Sequence, residues 1–398
     1  MEEEKNTGIP AWMGAHKKYL LAVLAAAVIV LIVYLVMSLR TFSSYETVSS
    51  YTHSRESNDQ YLRFGGCIVQ YGGDGITCLN ADGTSLWSKS YEMEQPMLAV
   101  SDGYLAVADQ GGSGIYLFDE SGFLTLIETP YPIRQLALSD SGSAAVVLEE
   151  SDACRLMLYS ADGDILVEGE AHLDDSGYPA AIALSADGTT LAVSYLTVSS
   201  GQVSSVLTFY DFSATESAQA QAAASDTYDG EMIVRLAYLE GRFAAFSDAA
   251  VRIYGGSSLS LQQEIDFESQ VQSIVIGTDR FGIVTASEEE MSEDTDDLTD
   301  ASADASAASE DTWSLDIYGK AGRRITHAVF SGDYQNITFL QDGSVAILGT
   351  DSCSIITALG QTRFSCTFGE GICGIFSNGL FGGYTFVFSD RIERVRLQ

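Results

Sequence analysis

Carboxylates dominate the residues of this chain that could do chemistry: 55 Asp and Glu stand against 20 Lys and Arg, beside four His and six Cys. Their densest group is Ser287 to Thr312, with eleven acidic residues and no basic one. Within it Asp294, Asp296, Asp297, Asp300 and Asp304 are the first candidates for calcium, a hard cation that gathers oxygen ligands. The spacing is not that of an EF-hand, because no Gly stands at the sixth position and no bidentate Glu at the twelfth. The run reads instead as a solvated acidic loop. Interleaved with Ser and Ala, it cannot bury enough apolar surface to offset its ordering entropy, so disorder is expected over 287–312.

Other chemistries find still less. His16, His53, His172 and His327 show no metal-ligand spacing. There is no G-x-S-x-G elbow, no Ser-x-x-Lys opening a helix and no Cys beside a paired His. Carboxylates are numerous enough for a paired-acid hydrolase or lyase, yet no pair stands out. The sequence thus nominates no catalytic, cofactor-binding or metal-ligating residue. The six cysteines are Cys67, Cys78, Cys154, Cys353, Cys366 and Cys373. Cys67 and Cys78 flank the turn Gly72-Gly73 symmetrically, which would bring them face to face on neighbouring strands. A disulfide and a pair of small buried thiols both fit that placement, and the thiols are the favoured reading.

The elements that must position these residues repeat along the chain. From Leu136 to Val167 four short apolar runs alternate with turns at Asp140-Ser141-Gly142 and Ala161-Asp162-Gly163, the pattern of a four-stranded antiparallel meander. Its third run recurs as Ile76-Thr77-Cys78-Leu79, Ile115-Tyr116-Leu117-Phe118 and Leu156-Met157-Leu158-Tyr159. Weaker copies start at Leu207, Val251, Leu315 and Cys353, with a truncated one from Ile392. Second runs turn at Asp102-Gly103, Asp187-Gly188, Gly241 and Asp342-Gly343. One such sheet cannot cover both its faces alone. A period near 40 residues, with two stretched intervals, predicts an all-β chain folded as a β-propeller of eight blades, with seven as the alternative. The last unit, Ile372 to Leu397, supplies only three runs. A ring of sheets has to close, and Tyr45 to Tyr51 is expected to lend the missing strand. One stretched interval holds Phe212 to Asp229, expected to be a polar low-complexity loop; the other holds the acidic run.

Ahead of the propeller, expected over 61–398, lie a polar tail (1–18), an apolar segment (19–39) and a Ser- and Tyr-rich stalk (40–60). Tyr19 to Leu39 runs without a charge, and as a helix at 1.5 Å per residue it would reach roughly 31 Å, the thickness of the hydrocarbon core. Lys5, Lys17 and Lys18 against Arg40 and Arg55 favour a cytoplasmic amino terminus and an exported propeller. Ser38-Leu39-Arg40-Thr41-Phe42 lacks a small-x-small cleavage site, so the helix is expected to stay as a signal anchor rather than be cleaved. After Arg40, 16 Lys and Arg face 52 Asp and Glu. That excess argues against broad contacts with nucleic acid or anionic lipid.

The segment Ile76-Thr77-Cys78-Leu79-Asn80-Ala81-Asp82-Gly83-Thr84-Ser85-Leu86-Trp87 resembles the repeat of quinoprotein-like propellers, in which a strand and turn lead to a Trp docked between adjacent blades. The other blades put Leu126, Val167 or Thr326 at that offset, so the resemblance brings no case for a quinone cofactor. The Trp-Asp and Gly-His signatures of WD40 repeats are missing. Over its full length the chain looks like the uncharacterised membrane-anchored propeller proteins of Gram-positive Firmicutes, a family that supplies no activity or site to carry over. The expected function is that of a membrane-tethered, extracytoplasmic, non-enzymatic scaffold for an envelope protein or a polymer, by analogy with outer-membrane assembly scaffolds built on similar blades. The alternative is a carbohydrate-active hydrolase or lyase with carboxylates at the mouth of the axial channel. The side chains at that mouth discriminate between the two.

Overall fold

A computed structural model describes residues 22–26, 28, 40–52, 59–80, 83–151, 153–172, 177–199, 201–213, 222–287, 312–379 and 383–398. Among these, 32 strands form eight four-stranded antiparallel sheets, each one copy of the repeat. Strand β1 (Tyr45–Thr52) comes first in the chain but belongs to the last sheet. Blade 1 is β2 (Gln60–Phe64), β3 (Cys67–Tyr71), β4 (Gly75–Leu79) and β5 (Ser85–Ser90). Blade 2 is β6 (Pro96–Val100), β7 (Tyr104–Asp109), β8 (Gly114–Asp119) and β9 (Gly122–Glu128). Blade 3 is β10 (Ile133–Leu138), β11 (Ala144–Glu149), β12 (Ala153–Tyr159) and β13 (Ile165–His172). Blade 4 is β14 (Tyr178–Leu184), β15 (Thr190–Ser199), β16 (Gln202–Asp211) and β17 (Ala222–Asp229). Blade 5 is β18 (Arg235–Tyr238), β19 (Arg242–Phe246), β20 (Ala250–Gly255) and β21 (Ser260–Asp266). Blade 6 is β22 (Val271–Ile276), β23 (Arg280–Ala286), β24 (Thr312–Gly319) and β25 (Arg324–Ser331). Blade 7 is β26 (Asn336–Phe339), β27 (Val345–Leu348), β28 (Ser352–Ile356) and β29 (Thr362–Thr367). Blade 8 is β30 (Ile372–Ser377), β31 (Tyr384–Phe388), β32 (Arg391–Leu397) and β1.

The second and third strands of a blade lie between two neighbouring sheets, so both their faces are buried and their sequences read as continuous apolar runs. All six residues of β20 are buried, as are the first five of β11. The outermost strand meets water on one face: β25 alternates exposed and buried residues, and β21 is exposed almost throughout. Turn chemistry sets the register. In the first turn of blade 4, Asp187 Oδ1 accepts hydrogen bonds from Ser185 Oγ (2.5 Å), Thr189 N (3.0 Å) and Thr189 Oγ1 (2.8 Å). Gly188 follows at φ 73°, a left-handed angle that glycine adopts without strain.

Between blades the core divides into apolar clusters. Trp87 leaves blade 1 and stacks on Phe118 of blade 2 (ring centroids 5.3 Å apart, 15° between planes), its Nε1 donating to the Glu120 carbonyl at 3.3 Å. Gly122 lets it dock, since a Cβ there would sit 3.3 Å from the indole. At the seam where blade 8 meets blade 1 the buried cluster among the described residues is small, formed by Leu79, Val387 and Ile392.

The ring closes through the amino-terminal strand. β1 pairs antiparallel with β32, from Tyr45 opposite Leu397 to Thr52 opposite Arg391, with a bulge between Thr47 and Ser49. The Tyr45 ring lies 5.2 Å from Phe386 and 5.8 Å from Phe368, tying the added strand to the core between blades 7 and 8.

Two expectations need correction. Phe212 to Asp229 is not wholly a loop, because Ala222–Asp229 forms the outermost strand of blade 4, paired to β16 from Asp229 opposite Ser204 to Ala222 opposite Tyr210. An outermost strand is held by ladder hydrogen bonds and needs few apolar side chains, so its composition passes for a loop. The second correction concerns Cys67 and Cys78, which form a disulfide. The β3–β4 register sets Cys78 opposite Val69, placing the two cysteines diagonally with Cα atoms 6.2 Å apart, within bonding range. The acidic residues 288–311 and the tail 1–18 lie outside the described residues. Of the expected membrane span only 22–26 and 28 are described, and they are helical and exposed. Among the described residues no helix is long and apolar enough to cross a membrane.

Candidate functional site

The first strands of neighbouring blades approach one another, β6 against β10, β10 against β14, β14 against β18, β22 against β26 and β30 against β2, which puts these strands at the axis. Strands β2, β6, β10, β14, β18, β22, β26 and β30 together carry no Asp or Glu. In a chain with 55 carboxylates and a net charge of −35, the axial wall is therefore opposite in character to the exterior.

Register sorts what the wall does carry. One residue per blade leans onto the preceding blade from equivalent positions: Leu98, Leu136, Ile182, Leu236, Ile274, Ile337 and Ile375 in blades 2 to 8, paired with Val107, Val146, Val193, Ala245, Ile283, Ile347 and Phe386. Each packs into the cluster it shares with the blade before it. They make an aliphatic collar. In blade 1 the residue at this level is Tyr61, paired with Gln70 and packed on the cluster shared with blade 8, and Arg63 lies two residues further along the same face, at the level of Val100, Leu138 and Leu184.

Arg63 is half-buried, and its Nη1 donates to the Ser377 carbonyl (3.2 Å) and to Asn378 Oδ1 (3.3 Å) across the seam to blade 8. Its buried Nε has no hydrogen-bond partner among the described residues, and neither has Ser377 Oγ, whose residue is 1% exposed. Burial holds the Arg63 guanidinium below the ordinary arginine range. Arg235 of β18, four blades away and so on the opposite wall, donates to the Ile274 carbonyl at 3.4 Å and is likewise held low by desolvation while keeping contact with solvent. The remaining inner-strand arginine, Arg134 at the bulge of β10, is neutralised by Glu149. Gln135 beside it donates to the Pro179 carbonyl at 3.1 Å. Inner strands thus staple their neighbours' edge carbonyls with long polar side chains, and two of the staples are cations without a carboxylate.

Residues weighed at the sequence level fall elsewhere. Asp294, Asp296, Asp297, Asp300 and Asp304, with His16 and His53, lie outside the described residues. His172 ends β13, whereas His327 on β25 is exposed and meets Asp316 Oδ1 at 2.9 Å, an oxygen that Arg324 Nη1 also approaches at 3.4 Å. Among the described residues no group of three or more His, Cys, Asp or Glu side chains could hold a metal ion. Cys154 and Cys353 are buried free thiols and Cys366 is a half-buried one, with Cys353 directly opposite Cys366 across β28 and β29. Burial pushes the Cys353 thiol up, away from reactivity. An open recess of about 570 Å³ beside blade 1 is lined by Asp74, Ser90, Tyr91 and Glu92, well off the axis. Arg63 and Arg235 escaped notice in the sequence. Their signal was the sign of charge in the first run of each repeat, which shows only once all eight runs are set side by side.

Sheets, closure and axis together define an eight-bladed β-propeller. The chain belongs to a family of unknown function (DUF5711), whose profile matches residues 38–397. No curated protein matches it in sequence. Among solved structures it is similar to BamB from Moraxella catarrhalis, at 8% identity and a TM-score of 0.50 over 89% of this chain and 100% of that one. It is also similar to AztD from Citrobacter koseri (11%, 0.51, over 79% and 87%). Sqt1 of Saccharomyces cerevisiae matches at 11% and 0.53 over 90% and 99%. At such identities these likenesses speak for the fold alone.

Proposed function

We propose that this protein is a membrane-tethered, extracytoplasmic propeller that works as a non-enzymatic scaffold, binding an envelope protein or a polymer at its axial face. The observation that carries this reading is the axial wall without a carboxylate. A paired-acid hydrolase needs two carboxyls about 5–10 Å apart in a cleft, and the inner strands supply neither. The uncharged segment Tyr19 to Leu39 supports the tether. The Cys67–Cys78 disulfide supports an oxidising compartment and hence export.

Two measurements on intact cells test it together. Protease added outside should digest the propeller while sparing the tail, and crosslinking of the tethered chain should recover one stoichiometric membrane or envelope partner. A propeller that resists external protease until the cells are lysed would contradict the placement. Turnover of a glycan by the purified chain would contradict the scaffold.

A further inference from the structure

We infer that the propeller rests on the membrane by one sector of its rim, where the third strands of blades 6 to 8 give way to the fourth, and that this sector takes anionic lipid headgroups through Arg40, Arg323 and Arg396. The inference rests on the membrane-tethered reading and says how the tethered domain lies. The tether has almost no slack. Phe42 N donates to the Arg363 carbonyl at 2.8 Å, Ser365 N donates to the Phe42 carbonyl at 3.4 Å, and Phe42 packs on the cluster between blades 7 and 8. Only Arg40 and Thr41 separate this fixed point from the end of the uncharged run at Leu39, and two extended residues reach about 7 Å. A bilayer that holds 19–39 therefore meets the rim at the start of β29. At the same end of blade 8, Ser44 and Gln398 exchange backbone hydrogen bonds of 3.3 and 2.8 Å, which fixes the next turn of the path as well.

Charge is distributed to match. From Thr312 to Gln398 seven Lys and Arg meet seven Asp and Glu, so residues 41–311 carry the whole acid excess. The stretches joining third to fourth strands all lie at one end of the ring, and they change sign around it. Blade 2 brings Asp119 and Glu120, blade 3 Asp162 and Asp164, and blade 4 Asp211, whereas blades 5 and 7 bring no charge and blade 6 brings Lys320, Arg323 and Arg324. Lys320 is paired with Glu240 and Arg324 with Asp316, but Arg40, Arg323 and Arg396 are exposed and form no ion pair among the described residues. Carboxylates at this end of the sector already have partners: Asp279 has Arg280, Asp342 has Ser344 and Arg363, and Glu46, opposite Arg396 in the ladder, has Gln398 Nε2 at 2.8 Å. Leu359 in the blade 7 turn is 61% exposed and Ile325 beside Arg324 is 55% exposed, apolar side chains of the kind that enter the headgroup boundary. Free cations with apolar tips, at the point where the anchor arrives, fit an anionic lipid surface, and the acidic turns of blades 2 to 4 are repelled from it.

The test reconstitutes the full chain in phosphatidylcholine vesicles with or without phosphatidylglycerol, with a nitroxide quencher on the lipid headgroup. A fluorescent amino acid is placed at Leu359 or, as the control, at Asp162 in the equivalent turn of blade 3. Quenching is expected at 359 and absent at 162. With phosphatidylglycerol present, Arg323→Gln and Arg396→Gln should each lower the ratio of docked to undocked probe about fivefold, and without it neither should change that ratio. Both side chains are exposed, so these variants should melt as the parent does. A flexible Gly-Ser insert of about 20 residues after Arg40 should abolish quenching in phosphatidylcholine alone and leave part of it when phosphatidylglycerol is added. Equal quenching at both positions, quenching at neither, or quenching in anionic vesicles that ignores both substitutions overturns the rim contact, and leaves the tether standing as long as the chain stays with the vesicles. A chain that alkaline carbonate strips from them overturns the tether, and the contact with it.

Discussion

Arg252 is held with 6% of its side chain exposed, its Nη1 2.6 Å from Glu231 and its Nε 2.7 Å from Glu264, with the Tyr228 ring 4.0 Å away. Hydrogen bonding from Arg252, helped by Ser247, keeps the Glu231 carboxyl below the usual glutamate range despite its burial. A depressed carboxylate stabilises the fold above its unfolded value and loses that contribution as pH falls through the folded one. Acid unfolding should therefore begin below about pH 4.5. Glu231→Gln should cost about 1–3 kcal/mol at pH 7, by leaving the arginine short of charge, and should flatten the acid limb of stability against pH in urea melts. A second prediction concerns the disulfide, which closes a short loop with a sequence separation of 11. Cys67→Ser, or reductant, should lower stability by about 3 kcal/mol on the chain-entropy estimate, read from denaturant midpoints. Neither feature was legible beforehand. Glu231 and Arg252 lie 21 residues apart on different elements, and only the fold brings them together. The cysteine pair was visible, but its bonding depends on a register two residues from the symmetric one, which the turn glycines do not specify.

Individual strands were legible in proportion to how they are buried. The third-run motif marked a strand in every blade because those strands, from β4 to β32, are covered by sheets on both faces and must stay apolar. The outermost strands gave the weakest signal, and β17, made of Ala, Ser, Asp, Thr and Tyr, gave none. Two predictions belong to elements. Deleting residues 41–52 strips β1 from β32 and leaves an open edge, so the chain should aggregate or exchange strands, seen as higher oligomers by size-exclusion chromatography. The acidic insert should behave oppositely. Ser287 N donates to the Thr312 carbonyl at 2.8 Å, so the ends of the insert already form a hairpin neck. Replacing 288–311 with Asn-Gly should leave stability within about 2 kcal/mol of the parent, since loop-closure entropy changes slowly with length. Calorimetry of the two proteins side by side checks it.

At the scale of the whole molecule, a negative shell surrounds inner strands without carboxylates, and both follow from where the repeat puts its residues. Inner strands are hemmed in by neighbours and keep aliphatic side chains and edge-stapling donors, while turns and outermost strands carry the acid. Blade number was legible because the period held through two stretched intervals, and closure was legible because the last unit lacked one strand. The contents of the axis were not, since they emerge only when eight runs share one register. The scaffold account stands most directly on crosslinking from that axis. A photoreactive residue placed at Gln272 or Asn336, on the inner strands β22 and β26, should capture one stoichiometric membrane or envelope protein in living cells, and the same residue on the outer strand β21 should not. Equal capture from both positions, or capture from neither, would contradict it.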